Sequence, residues 1–198
     1  MAPRGVAIPD VRERLFAAAE RVLVREGPAG LTNRAITQEA DCAKGLIHSH
    51  FTDLDDFVAQ LVLNRFRSIA GEVGPLPARA GSGSVTGNMT TAALALLGSH
   101  GPAIAAAALS RPKVTERIRH AWAEGEPGPA TAEQAMSHYL EAEQRLGRVV
   151  PHADCPALAL AVAGTVHHLL MTRGSRPSQD TQLVEHLVAA VIGPATAA

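Results

Sequence analysis

Lysine is nearly missing from this 198-residue chain: only Lys44 and Lys113 stand among its 18 basic residues, and arginine supplies the rest. We read that bias as a coding preference with no functional content. Cysteine occurs twice, at Cys42 and Cys155, with no CxxC pair. This excludes a zinc ribbon or a disulfide framework and reads as two reduced, mostly buried thiols. Aromatic residues make up 3% of the chain. There is no signal peptide and no apolar run of membrane length, so a cytoplasmic protein with no membrane partner is expected. Net charge is −1, which argues against a polyanion binder by composition. No nucleotide-binding loop, diagnostic nucleophile–base spacing or paired-carboxylate motif is present. The expectation is therefore a non-enzyme with no cofactor. Nine histidines leave a metalloprotein as the remote alternative. Helical metal sites use Glu-x-x-His, whereas Glu116 precedes His120 by four and Glu185 precedes His186 by one. His48 and His50, or His167 and His168, diverge on a helix. No metal site is expected.

What is present is helical. The chain is 46% apolar and 19% charged, rich in Ala and Leu and poor in alternating β-branched runs, which points to an all-α protein. Its length suits one sizeable core, or a small domain beside a larger one. The organising stretch is Leu31 to Phe51, LTNRAITQEADCAKGLIHSHF. Thr32 can cap a helix over about 33–40, and Ile36 and Ala40 share one face. Asp41-Cys42-Ala43 turns the chain. A second helix is expected over about 43–50, with Ile47 and Phe51 inward. That helix is too short to stand alone and needs the helix over 10–26 behind it, for which Asp10 and Glu13 form a capping box. Units of this anatomy place the second helix in the major groove of DNA.

Residues 11 to 57 resemble the N-terminal domain of TetR-type transcriptional regulators. The resemblance rests on Leu15-Phe16, Ala18-Ala19, Val22-Leu23, Gly27, Thr32, Ile36, Ala40, Lys44, Gly45, Ile47, His50 and Phe51. The chain departs from the family at Thr37, Asp41 (the turn glycine), Cys42, Ala43, His48 (a phosphate-holding tyrosine) and Leu54 (a phosphate-binding lysine). The resemblance implies an N-terminal three-helix helix-turn-helix DNA-binding head over 1–52. A larger C-terminal helical ligand-binding and dimerisation domain follows over 53–198. Expected DNA contacts are Thr32, Arg34, Ala43, Lys44, Gly45, Leu46, His48, Ser49 and His50. Lys44, in the first turn of the second helix, is the foremost phosphate contact, and Arg34 can read guanine. If His48 holds a phosphate, affinity falls as pH rises through about 6 to 7. The first fifty residues carry seven basic against six acidic groups, a weak footprint for DNA. Asp53, Asp55 and Asp56, with Leu54, are expected to reduce affinity further.

The Gly/Pro/Ser stretch over about 71–88 is expected to be flexible. Six helices follow, the fifth to the tenth of the chain, and the last two are expected to form a homodimer. Ala157, Ala161, Gly164 and His168 lie on one face of the ninth helix, and Leu183, Leu187 and Val191 stripe the tenth. A small-molecule ligand is expected among helices five to nine. Its candidate contacts are Trp122, Met136, Tyr139, His167 and Met171, with His100, His120 and His138 behind them. The functional expectation is a ligand-responsive dimeric regulator, in such families most often a repressor, on a pseudo-palindromic operator in double-stranded DNA. The alternative is a helical small-molecule-binding or protein-interaction module that has lost DNA binding.

Overall fold

The structure is a computed structural model that describes residues 11–98, 100–172 and 177–197. The expected N-terminal arm with Arg4, the Asp10 cap and the turn after residue 172 lie at least partly outside the described residues. Local signals start and stop most helices. The first, α1 (Val11–Gly30), buries Leu15, Phe16, Ala18, Ala19, Val22 and Leu23 and kinks at Gly27. Thr32 caps α2 (Asn33–Glu39) by accepting the Ala35 N–H at 3.1 Å. Asp41 turns the chain in the left-handed region, φ 48°, where Asp is tolerated better than most non-glycine residues.

The next helix, α3, is shorter than expected and spans only Leu46–His50. Ala43 and Lys44 belong to the preceding turn, and Gly45 is the N-cap with no side-chain bond. Nothing between Asp41 and Gly45 offers a capping side chain, and glycine resists the helix by about 1 kcal/mol relative to Ala. Lys44 therefore sits ahead of the helix, not in its first turn. What holds so short a helix is packing. Ile47 and Phe51 are buried, and Phe16, Phe51 and Phe57 form a ring cluster with centroids 4.8 to 5.7 Å apart.

Asp53 caps α4 (Leu54–Val73) through the Asp56 N–H at 2.6 Å. The N-terminal half of α4 completes the head core with Phe57, Val58 and Leu61. That core runs on into α6 (Gly101–Leu109) and α7 (Pro112–Ala123) through Ile104, Ala107, Val114 and Ile118. A second core joins the far half of α4 to α5 (Val85–Leu97), α8 (Pro129–Arg145), α9 (Cys155–Thr172) and α10 (Pro177–Ile192). Asp154 caps α9 through the Ala157 N–H at 3.0 Å. Among the described residues there is no β-strand, only an isolated bridge between Val149 and Thr196.

Two expectations need correction. The 71–88 stretch is folded. It ends α4, forms a 3-10 turn over Leu76–Arg79 that packs on α8, and opens α5. Leu76 and Val85 are buried. The Gly81 N–H donates to the buried Glu143 carboxylate at 3.2 Å, and Arg148 donates to the Gly83 carbonyl. Asn88 Nδ2 donates to the Ser82 carbonyl at 2.7 Å and to the Tyr139 hydroxyl at 2.9 Å. The glycines serve a positive-φ turn at Gly81 (83°) and Gly83 (64°), a conformation that costs glycine little. A membrane-length apolar helix also exists: α9 is 18 residues long with a mean hydropathy of 1.4. Its buried side, including Cys155, Ala159, Val162 and Val166, packs in the second core, as core helices of its length and composition do.

Candidate functional site

The outer face of α2 and α3 gathers the expected DNA contacts. Thr32, Arg34, Ala43, Lys44, Gly45, His48, Ser49 and His50 are exposed, and Leu46 is half-buried. Behind them Ile36, Thr37 and Ile47 anchor the unit. Thr37, buried where the family carries alanine, donates its hydroxyl to the Asn33 carbonyl at 2.9 Å and so leaves no unsatisfied polar group. Two of the expected contacts are partly occupied. Ser49 Oγ donates to the Leu46 carbonyl at 2.7 Å, and Asn33 Nδ2 lies 3.4 Å from His48 Nε2.

The electrostatics of this face depend on which arginines are already engaged. Arg21 and Arg25 both grip Glu39, at 2.7 and 2.9 Å, and hold its carboxyl below the usual range. Arg14 donates to the Ala40 carbonyl at 3.0 Å. Arg12 lies 4.8 Å from the Phe51 ring centroid and donates to Gln60. The side chains of Arg34 and Lys44 make no ion pair or hydrogen bond among the described residues. The head therefore offers two uncommitted cations on this face.

The three acids at the start of α4 are not the simple repulsive cluster that was expected. Arg117 of α7 chelates Asp53 at 2.8 and 3.0 Å, and Arg111 pairs with Asp55 at 2.8 Å. Asp56 accepts the Thr52 N–H at 2.9 Å. Arg117, and next the Asp56 amide, hold the Asp53 carboxyl well below the usual carboxylate range. Leu54 is half-buried against the head core. Arg111 and α7 thus pair two of the three acids, and α7 also contributes Val114 and Ile118 to the head core.

A cavity of about 320 Å³ lies where α4, α5, α6, α7 and α9 meet. Trp122, His167 and Met171 line it, together with Phe66, Ile69 and Ile104. Phe66 and Trp122 meet edge to face, with centroids 5.4 Å apart. Met136 and Tyr139 do not line it. Both are fully buried in the second core, where burial first, and Glu143 next, push the Tyr139 phenol up to about 12. His100 is also engaged elsewhere: its Nδ1 lies 2.7 Å from Glu20 of α1. His120 faces Glu124 at 3.3 Å on the surface, and His138 is exposed. The lining residues Arg65 and Arg119 were not anticipated, and no periodicity distinguishes them from ordinary surface arginines. Among the described residues no three His, Cys, Asp or Glu side chains converge as a metal site.

On α9, Ala157, Ala161, Gly164 and His168 form an exposed strip that also carries Leu160, 55% exposed. On α10, Val184, Val188 and Ile192 turn inward, and Leu183, Leu187 and Val191 remain half-exposed beside them.

Residues 15–61 match the family of bacterial regulatory proteins described as the tetR family. Among curated proteins none matches the chain. Solved structures share the fold over nearly the whole chain. One is NemR of E. coli in its reduced form, with 17% identity, 95% of this chain and 98% of that one covered, and a TM-score of 0.67. Another is the fatty acid degradation regulator FadR from Bacillus halodurans, with 13% identity, 94% and 96% covered, and a TM-score of 0.65. A third is the ketosteroid transcriptional regulator KstR2 of Mycobacterium tuberculosis, with 15% identity, 96% and 97% covered, and a TM-score of 0.59.

Proposed function

We propose that this chain, which carries a tetR-family unit at residues 15–61 on a TetR-regulator fold, works as a cytoplasmic, dimeric, ligand-responsive repressor of transcription. Residues 1–52 read a half-site in duplex DNA, and residues 53–198 bind the ligand and the second subunit. Arg34 and Lys44 hold phosphate or base edges, while Thr32, Ala43, Gly45, Leu46, His48, Ser49 and His50 shape the contact surface. Pairing of α9 and α10 with their twofold mates sets two α3 helices about one DNA turn, roughly 34 Å, apart on a pseudo-palindromic operator.

The observation that carries this reading is the shared helix α4. Its first half builds the head core and its second half lines the cavity through Arg65, Phe66 and Ile69. A ligand in the cavity contacts α4, α6 and α7 together; α6 also packs on α1, and α7 shares the head core through Val114 and Ile118. A ligand that prefers one setting of these helices biases the head spacing, and its effect on DNA affinity equals that differential preference.

Selection of bound sequences from random duplex DNA, by the purified protein at low salt and about pH 6.5, tests the reading. Recovery of a pseudo-palindrome supports it. Recovery of nothing, from folded dimer refolded free of ligand, overturns it in favour of a helical binding or interaction module without DNA. The departures at Asp41, His48 and Leu54 favour that second reading.

A further inference from the structure

The chemistry of the cavity lining is one-sided. Its floor is hydrocarbon: Ile69, Ile104 and Ile118 are buried there. Its ionisable lining residues are Arg65, Arg119 and His167, and no carboxylate lines it. Arg65 is committed, donating to the Ala95 carbonyl at 2.8 Å and lying 3.9 Å from Glu72. Arg119 and His167 are exposed at the rim and make no hydrogen bond or ion pair among the described residues. Glu133 borders an adjoining hollow of about 220 Å³ that shares Phe66 and His167 with the main cavity. An apolar chamber with uncommitted basic donors at its rim repels a cation, gives a neutral hydrocarbon no use for the rim, and suits a molecule with one apolar end and one anionic end.

We propose that the cavity binds an aliphatic carboxylate, with its hydrocarbon body on the isoleucine floor and its carboxylate at Arg119 and His167. The proposal rests on the reading of this cavity as the effector site. The volume holds on the order of ten non-hydrogen atoms, taking the roughly 30 Å³ of a water molecule as the yardstick, so decanoate is a suitable probe. Arg119 is the selecting group, because it offers a fixed fork of donors to a carboxylate and has no competing partner.

The chain has a single tryptophan, Trp122, and it lines the cavity. Its emission therefore reports occupancy directly. The full-length protein is titrated with decanoate, 1-decanol and decyltrimethylammonium, and the titrations are repeated with Arg119→Gln and Arg119→Lys. The expected result is saturable binding with decanoate tightest and the cation weakest. Arg119→Gln weakens decanoate by roughly three- to tenfold, the range for a charge-assisted contact partly open to water, leaves decanol unchanged, and Arg119→Lys recovers part of the loss. Equal affinity for all three probes, preference for decanol or the cation, or no saturable change with any of them overturns the proposal. So does an Arg119→Gln variant that binds decanoate as the parent does. The titration contains no DNA, so a protein that binds decanoate but selects no DNA sequence loses the regulator reading and keeps this one.

Discussion

Replacing Lys44 by Ala removes one of the two uncommitted cations on the α2–α3 face while touching nothing that folds the head. Lys44 is exposed, precedes α3 and has no partner among the described residues, so thermal stability is expected to stay within the ±0.5 kcal/mol usual for surface changes. Each neutralised phosphate contributes roughly −0.9 to the slope of log affinity against log salt. Two such cations per protomer, Arg34 and Lys44, give a dimer four contacts and a slope near roughly −3.6. The substitution removes two contacts and halves the slope to about −1.8. Over a fourfold rise in salt the parent loses roughly 150-fold in affinity and the variant roughly 12-fold. The assay is fluorescence anisotropy on a selected duplex and on a scrambled one, at several salt concentrations. Both duplexes are expected to lose affinity alike, because a phosphate contact carries no base information. An unchanged slope removes Lys44 from the interface. A parent slope much steeper than −3.6 refutes the tally itself, by showing that arginines held in Glu39 or Phe51 contacts also reach phosphate.

Asn88→Ala deletes the bonds to Ser82 and Tyr139 and leaves a buried hydroxyl with one partner fewer, so urea denaturation is expected to show a loss of about 2–4 kcal/mol, with new protease cleavage near 79–84; an unchanged midpoint and a protected segment speak against the tether. For Asp53, pulled well below its ordinary value by Arg117, the sign follows from linkage: the contribution is complete above the unfolded value of about 4 and is lost as pH falls through the lower folded value. Arg117→Ala is expected to return the Asp53 titration, followed by carboxyl NMR, toward the ordinary range and to move the acid unfolding midpoint upward; an unmoved titration rejects the pairing. Cys155, 2% exposed and with its thiol pushed up by burial, is expected to resist a thiol reagent at pH 8 in the native protein while half-buried Cys42 reacts. Equal rates would show that α9 opens readily.

The parts of this molecule legible in the sequence are those whose physics is local. Thr32, Asp53 and Asp154 each cap a helix through an amide three residues onward, and Leu15, Ala18, Ala19 and Val22 repeat with the helical period. The 71–88 segment was illegible because its tethers come from far away. Asn88 meets Tyr139 fifty-one positions later, and Gly81 meets Glu143 sixty-two later. Seen alone, its Gly and Ser composition looks like a linker. The cavity was half legible for a related reason: a buried Met136 and a cavity-lining Met171 show the same apolar helical spacing, and only the packing separates them. Charge was the least legible property. Seven basic and six acidic residues in the first fifty suggest near neutrality spread evenly, whereas folding consumes Arg21 and Arg25 on one glutamate and leaves Arg34 and Lys44 open.

The head core that runs on into α6 and α7 limits how this protein can be cut and recombined. A fragment ending at Val73 would leave Val22, Phe57 and Leu61 without Ile104, Ala107, Val114 and Ile118 of the same core, and one ending at residue 52 would lose Phe57 and Leu61 as well. Stripping that cover exposes a contiguous apolar surface of the kind that drives association. The head is therefore not a portable reader. A chimera that transplants it onto another effector body keeps its shape only if α6 and α7 travel with it, and those two helices also wall the cavity. Under the proposed function, specificity for DNA and specificity for ligand are bound into one transplantable unit, and neither can be exchanged without repacking the other.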